Sequence, residues 1–248
     1  MIGGPIRMRL FPMQRRSTQT RTFGRARQLA TGLCIALLPL WWLPAASQET
    51  LIIAERVLVR LEEQHGTPAA RRIGHWQQLI QDNQDLDDLQ KLERVNDFFN
   101  RSRFVDDTEL WGVRDYWATP LEFLIKDAGD CEDYAVAKYY TLRALGVDEQ
   151  KLRITYVTAL ELDQAHMVLA YYPTPTAVPL LLDNLNPRIL PAPERPDLQP
   201  VYSFNADDLW LARSRTEQLR TGRQNQIGPW QDMLQRIQEM QQKLSGER

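Results

Sequence analysis

Cysteine and histidine are both scarce: the 248 residues hold two cysteines, Cys34 and Cys131, and three histidines, His65, His75 and His166. Two thiols exclude a disulfide scaffold, and three scattered histidines with so little cysteine do not make a zinc-ligand cluster. With 12 glycines, 15 prolines and no repeat period, collagen and solenoid architectures are excluded as well. Basic residues are missing where nucleic acid would need them. Residues 1–47 hold seven arginines and no acid, so subtracting them from 30 basic and 32 acidic residues leaves 23 against 32, or −9, for the rest. An acidic body without a basic block argues against nucleic-acid binding.

A long apolar run occurs at Leu29–Pro44, after the arginines and before Ala45-Ala46-Ser47-Gln48. Basic residues, about 15 apolar ones and small residues in that order make a secretory signal. Residues 1–47 are therefore expected to be a signal peptide cleaved within Ala45–Gln48. An uncleaved anchor is the alternative, disfavoured by the shortness of the run and by Pro39 and Pro44. Cleavage removes Cys34 and leaves Cys131 without an intramolecular partner. A lone thiol in an oxidising compartment is either buried or used.

What remains has enough apolar content, 43% of the whole chain, for one sizeable core. Residues 48–100 read as a helical lobe. Leu51, Ile52, Ala54, Val57, Leu58 and Leu61 recur at helical spacing up to Gly66-Thr67-Pro68. A second segment includes Leu79 and Ile80, and a third carries the stripe Leu86, Leu89, Leu92, Val95, Phe98, Phe99. Asp82, Asp85, Asp87 and Asp88 lie near the start of that third helix, where carboxylates suit the helix dipole. Residues 101–130 read as an aromatic loop. A helix without Gly or Pro then runs from Cys131 to Leu145 and stops at Gly146.

Strand-like runs follow at Leu152–Leu160, His166–Tyr172 and Leu180–Leu185, and five prolines between Pro187 and Pro200 mark an irregular return. Residues 48–212 are thus one domain, with 101–212 its catalytic part. Residues 213–248 form a polar helical tail that includes Leu219. Helices followed by an antiparallel sheet define an α+β fold.

Cys131 opens its helix directly after Gly129-Asp130, where the dipole and unpaired N–H groups favour a thiolate. A nucleophilic cysteine also needs a base, usually a histidine oriented by a third polar group. His166 opens a strand, and Asp183 ends the next. In a hairpin turning about Thr174-Pro175, paired residue numbers sum to 349 and His166 faces Asp183 directly. A one-residue slip would separate them onto opposite faces. His65, beside a turn, and His75, on a polar helix, read as surface residues. Asp130, Glu132 and Asp133 flank the thiol, and their charge should suppress its ionisation. A bound cation reverses that sign, and clustered carboxylates are the hard oxygen ligands Ca²⁺ prefers. Helix N-terminal complementarity explains the same carboxylates without a metal.

Taken together, Trp111–Pro120, Gly129-Asp130-Cys131-Glu132-Asp133-Tyr134, Ala165–Leu169, Leu182-Asp183-Asn184 and Pro200–Asn205 resemble the bacterial transglutaminase-like cysteine proteinases of the LapG type. The resemblance spans roughly residues 50–212 in order and with compatible spacing. It implies a papain-like core with Cys131, His166 and Asp183 as the triad, and calcium held by Asp130, Glu132 and Asp133. It also implies a periplasmic enzyme that cuts a large surface adhesin near its N-terminus and so releases a biofilm cell. An inner-membrane cyclic di-GMP receptor of LapD type would hold the enzyme from its substrate. Trp117, in the loop before the nucleophile, is the candidate oxyanion donor beside the Cys131 N–H, though it serves equally as a packing residue. Two rivals stay open: acyl transfer to an amine by the same triad, and a non-catalytic periplasmic binding module.

Overall fold

Helix ends are written locally in this chain. In the computed structural model, which describes residues 55–212, 214, 218–222 and 227–245, three helices lead: α1 (Glu55–His65), α2 (Thr67–Asp82) and α3 (Asp88–Phe99). The signal-peptide segment, with Cys34, lies outside the described residues. Asp87 caps α3, accepting from the Gln90 N–H at 2.9 Å, while the Gln90 side chain accepts from the Asp87 N–H. One of the clustered acids near that helix therefore has a structural job. The buried face of α3 is Leu92, Val95, Asn96 and Phe99, and Leu89 is exposed. The i, i+3 stripe read from sequence drifts around the helix, whereas the real interface follows i, i+3, i+4, i+7.

Residues 101–130 are more structured than an aromatic loop. They hold β1 (Arg103–Phe104), α4 (Asp107–Leu110), α5 (Pro120–Lys126) and β2 (Ala128–Gly129). Thr119 and Glu122 form a capping box on α5, with Pro120 in its first turn. β1 and β2 pair in parallel, Phe104 opposite Gly129, and this short ladder delivers the chain to α6 (Cys131–Ala144). α6 is buried on most sides and ends at Gly146, whose φ of 83° suits a residue without Cβ. The Val147 N–H returns to the Leu142 carbonyl at 3.0 Å and closes the helix.

The sheet has seven antiparallel strands, not three. They are β3 (Leu152–Ala159), β4 (Gln164–Tyr171), β5 (Leu180–Leu182), β6 (Leu190–Pro191), β7 (Leu198–Phe204), β8 (Leu209–Ala212) and β9 (Gln218–Gly222). Their spatial order is β6-β5-β4-β3-β7-β8-β9. Proline-rich and polar stretches masked the later strands, because pairing partners rather than local composition make them strands. In particular, Leu219 lies in β9, paired with Leu211 of β8, and not in a helix.

One face of the sheet packs with α6 and the helices into a single core containing Ile73, Leu92, Phe123, Leu142, Leu152, Ile154 and Leu169. The helical lobe and the catalytic part therefore share their interior. The C-terminal segment shares it too: α7 (Gly228–Ser245) places Trp230 and Met233 at 0% exposure. Trp230 stacks on Tyr140 and meets Phe204 edge-on. The tail expected as an appendage thus completes the core, and no described helix is long and apolar enough to cross a membrane.

Candidate active site

The β4–β5 hairpin does not take the expected register. Leu169 pairs Leu182 and Tyr171 pairs Leu180, so paired numbers in the β4–β5 hairpin sum to 351 rather than 349. The proline-bearing connection after Tyr171 is longer than the turn assumed. A shift of two residues keeps the face parity of both strands, so His166 and Asp183 become diagonal rather than direct neighbours. The pair survives: His166 Nε2 lies 2.8 Å from Asp183 Oδ1, with 3% of the histidine and 1% of the aspartate exposed.

Asp183 is fully engaged. Oδ1 also accepts from the Leu185 N–H at 3.0 Å, and Oδ2 accepts from Arg195 Nη2 at 2.7 Å. Its backbone carbonyl accepts from Asn100 Nδ2 at 2.8 Å, and Asn96 on the same helix face holds the Pro187 carbonyl at 2.8 Å. Burial works to raise the Asp183 carboxyl, but His166, the Leu185 N–H and Arg195 hold it at about 2. An ionised carboxylate only accepts, so the His166 Nε2 carries the proton and Nδ1 is left for a second partner.

Cys131 is the one free thiol of the described residues and is largely enclosed. The Met167 N–H, one residue from His166 and beyond the part of β4 that β5 covers at Leu169–Tyr171, acts on the sulfur to favour the thiolate. On its other side the thiol donates to Glu132 Oε2 at 3.0 Å. Burial, Glu132 and Asp130 push the thiol well above its ordinary value. The suppression expected from the flanking carboxylates is therefore present.

Those carboxylates do not act as one set. Oxygens of Asp107, Asp130 and Glu132 lie within 4.8 Å of one another. Asp133 has another job: Oδ1 accepts from the Ala118 N–H at 2.6 Å and Oδ2 from the Asp130 N–H at 3.3 Å. As the N3 member of the capping box on α6, it is a structural residue and not one of the clustered oxygens. It also dictates Gly129, where an added Cβ would lie 2.5 Å from Asp133 Oδ2. Asp107 takes the place expected of it. Sequence reading missed Asp107 because it is remote in the chain; the β1–β2 ladder and the Val105 N–H to Gly129 carbonyl bond bring it in.

Asp107 Oδ1 and Asp130 Oδ1 are buried with no hydrogen-bond partner, which is the condition of oxygens suited to a hard cation. Burial first, and neighbouring carboxylates next, push Asp107 up to about 6 and Asp130 up to about 10. The donor set, all carboxylate oxygen, fits calcium and not zinc.

Trp117 proves to be the packing residue. Its Nε1–H is donated to Asp115 Oδ1 at 2.8 Å, and its ring stacks on Phe204 and meets Trp230 edge-on. Its indole N–H, the donor expected for an oxyanion, is thus already engaged. Arg236 of α7 donates to the Trp117 carbonyl and lies over the Tyr116 ring, so the C-terminal helix braces this loop. His65 and His75 are exposed, as expected of surface residues.

A cysteine-led helix buried against an antiparallel sheet, with a helical lobe in the same core, is a transglutaminase-like α+β arrangement. Within that class, this chain belongs to the bacterial transglutaminase-like cysteine proteinases, whose family profile matches residues 73–196. Solved structures of LapG from Legionella pneumophila agree. One is 41% identical, covers 77% of this chain and 100% of that one, and superposes with a TM-score of 0.66. The calcium-bound form is 42% identical over 73% of this chain and 98% of that one, with a TM-score of 0.64. The EGTA-treated form is 42% identical, over 73% and 97%, also with a TM-score of 0.64. No curated protein matches the chain.

Proposed function

We propose that this protein is a calcium-dependent periplasmic cysteine endopeptidase with Cys131 as nucleophile, His166 as base and Asp183 as the group that orients it. The hydrogen bond from His166 to a buried, ionised Asp183 carries this reading, since it fixes the imidazole tautomer that can serve a thiol. The His166 Nδ1 takes the Cys131 proton, and the sulfur attacks the scissile carbonyl carbon. The tetrahedral intermediate collapses to a thioester as His166 protonates the departing amine. Water, deprotonated by His166, then hydrolyses the thioester and restores the thiol. The Cys131 N–H, at the first turn of α6, is placed to stabilise the oxyanion.

Asp107, Asp130 and Glu132 would hold calcium, whose positive charge would offset the carboxylates that keep the thiol protonated. The paired calcium-bound and EGTA-treated states of the Legionella relative support calcium as the ion. Family membership supports a substrate of the LapG kind: the N-terminal region of a large surface adhesin, cut to release a biofilm cell under control of an inner-membrane cyclic di-GMP receptor. The test is cleavage of a purified adhesin N-terminal fragment with calcium and with EGTA. Cleavage in calcium alone, abolished in Cys131→Ala, is expected; full cleavage by Cys131→Ala overturns the mechanism, and cleavage in EGTA overturns the metal dependence.

A further inference from the structure

The proline-rich return after β5 is not idle chain. Pro191, Pro193 and Pro196 fix the backbone on both sides of Arg195, which follows a 3-10 turn at Ala192–Glu194. The Ala192 N–H bonds the Pro179 carbonyl at 2.9 Å, so the excursion folds back against β5, the strand that ends directly before Asp183. Arg195 is only 3% exposed. Its Nη2 donates to Asp183 Oδ2 at 2.7 Å and to Asp197 Oδ2 at 2.7 Å, and its Nε donates to both Asp197 oxygens at 3.0 and 3.2 Å.

Each oxygen of Asp183 therefore has its own occupant, His166 and the Leu185 N–H on Oδ1 and Arg195 on Oδ2. A carboxylate bonded only through Oδ1 would be free to rotate about its χ2 and lose the line to the imidazole. The planar guanidinium, clamped by Asp197, removes that freedom as a lysine's point charge would not. Lys138 of α6 is the other cation whose charge reaches Asp183, but no hydrogen-bond partner holds its Nζ.

We infer that Arg195 is a positioning residue for the cysteine protease reaction, acting through Asp183 to hold His166 in line with Cys131, with Asp197 as the anchor of Arg195. The inference rests on the triad proposed above. It makes the Pro191–Asp197 segment a working part of the site although it touches no reacting atom.

The test uses the full-length protein in calcium, with two independent readouts. The first is the low-field Nε2–H proton resonance of His166, isolated by ¹⁵N-histidine labelling in a chain with three histidines. The second is kcat and KM for cleavage of the adhesin N-terminal fragment. In Arg195→Met the resonance is expected to move upfield or vanish while the amide spectrum stays folded. kcat should fall by about 10²-fold, with KM changed less than about twofold. Because the arginine acts through the aspartate, Asp183→Asn/Arg195→Met should be no slower than Asp183→Asn alone.

Arg195→Lys keeps the charge but not the fork; it should show the same resonance change with a smaller loss of kcat, and it carries the test if Arg195→Met does not fold. A retained resonance with kcat near wild type, or an equal kcat loss in the Asp183→Asn background, overturns the inference. Absence of cleavage by the wild type would strike the protease reading, while the resonance would still decide the role of Arg195.

Discussion

Asp183 is buried and Asp130 half-buried with its Oδ1 shielded from water, and the fold treats the two carboxylates oppositely. Burial and the neighbouring Glu132, Asp133 and Asp107 push Asp130 up to about 10. Asp183, against the pull of burial, is held at about 2 because His166, Leu185 and Arg195 occupy its oxygens. One carboxylate receives its cation from the chain. The other stands among like charges, with Oδ1 unpartnered. The difference separates a permanent part of the site from a conditional one: the chain's own groups balance the charge of Asp183, while the acidic surroundings of Cys131 are left unbalanced.

The largest effect should come from breaking the permanent side. Asp183→Asn removes the charge facing both His166 and Arg195 and should destabilise the chain by about 3–5 kcal/mol. Urea unfolding in EGTA checks this without a contribution from bound metal; a loss below about 1 kcal/mol would mean that the pair adds little to stability.

The conditional side should respond with a change of sign. In EGTA, Asp107→Asn relieves repulsion in the acidic cluster and should unfold at a higher temperature than the wild type. In calcium the order should reverse, because the wild type gains about 2–3 kcal/mol at saturating ion and the variant much less. Thermal unfolding of both proteins in both conditions measures it. Parallel shifts in the two proteins would remove Asp107 from the ion site.

A smaller effect concerns Lys138, whose ammonium burial pushes down to about 7, opposed by Asp183. Below that pH the lysine is charged in the folded and unfolded chain alike, and the full cost of burying the charge is present. Between about 7 and its ordinary value of 10.5 only the unfolded chain keeps the proton, so stability should rise with pH. The expected slope is at most about 1.4 kcal/mol per pH unit. Lys138→Met should abolish it and be the more stable protein at pH 6. A slope that persists in Lys138→Met assigns the titration to another group.

The legible parts of this protein were those set by neighbours in the chain. Gly146 stops α6, Asp87 caps α3, and Cys131 after Gly129-Asp130 marks a helix start, all from local rules of capping and periodicity. His166 and Asp183 were legible as a pair because strand alternation conserves face parity even when the register moves by two. β7, β8 and β9 were not legible, since β7 becomes a strand by pairing the distant β3, and β8 and β9 are then added to that edge in turn. Trp117 was misassigned because spacing cannot say where an indole N–H is already spent. Trp230 looked like part of a polar tail because the stripe it begins, continued by Met233, Leu234, Ile237 and Met240, is weak among glutamines and charged residues.

Sequence by itself determined the α+β order of elements, the helix that begins at Cys131 and the histidine and aspartate available to serve it. Only the tertiary structure decided which acids cluster beside Cys131, with Asp107 among them and Asp133 not, and that Arg195 bonds Asp183. The physical reason is that charge–charge and hydrogen-bond terms act across a few ångströms of space. That spacing is set by the β1–β2 ladder, the sheet register and the proline-stiffened return, none of which is fixed by the identity of the residues that finally meet.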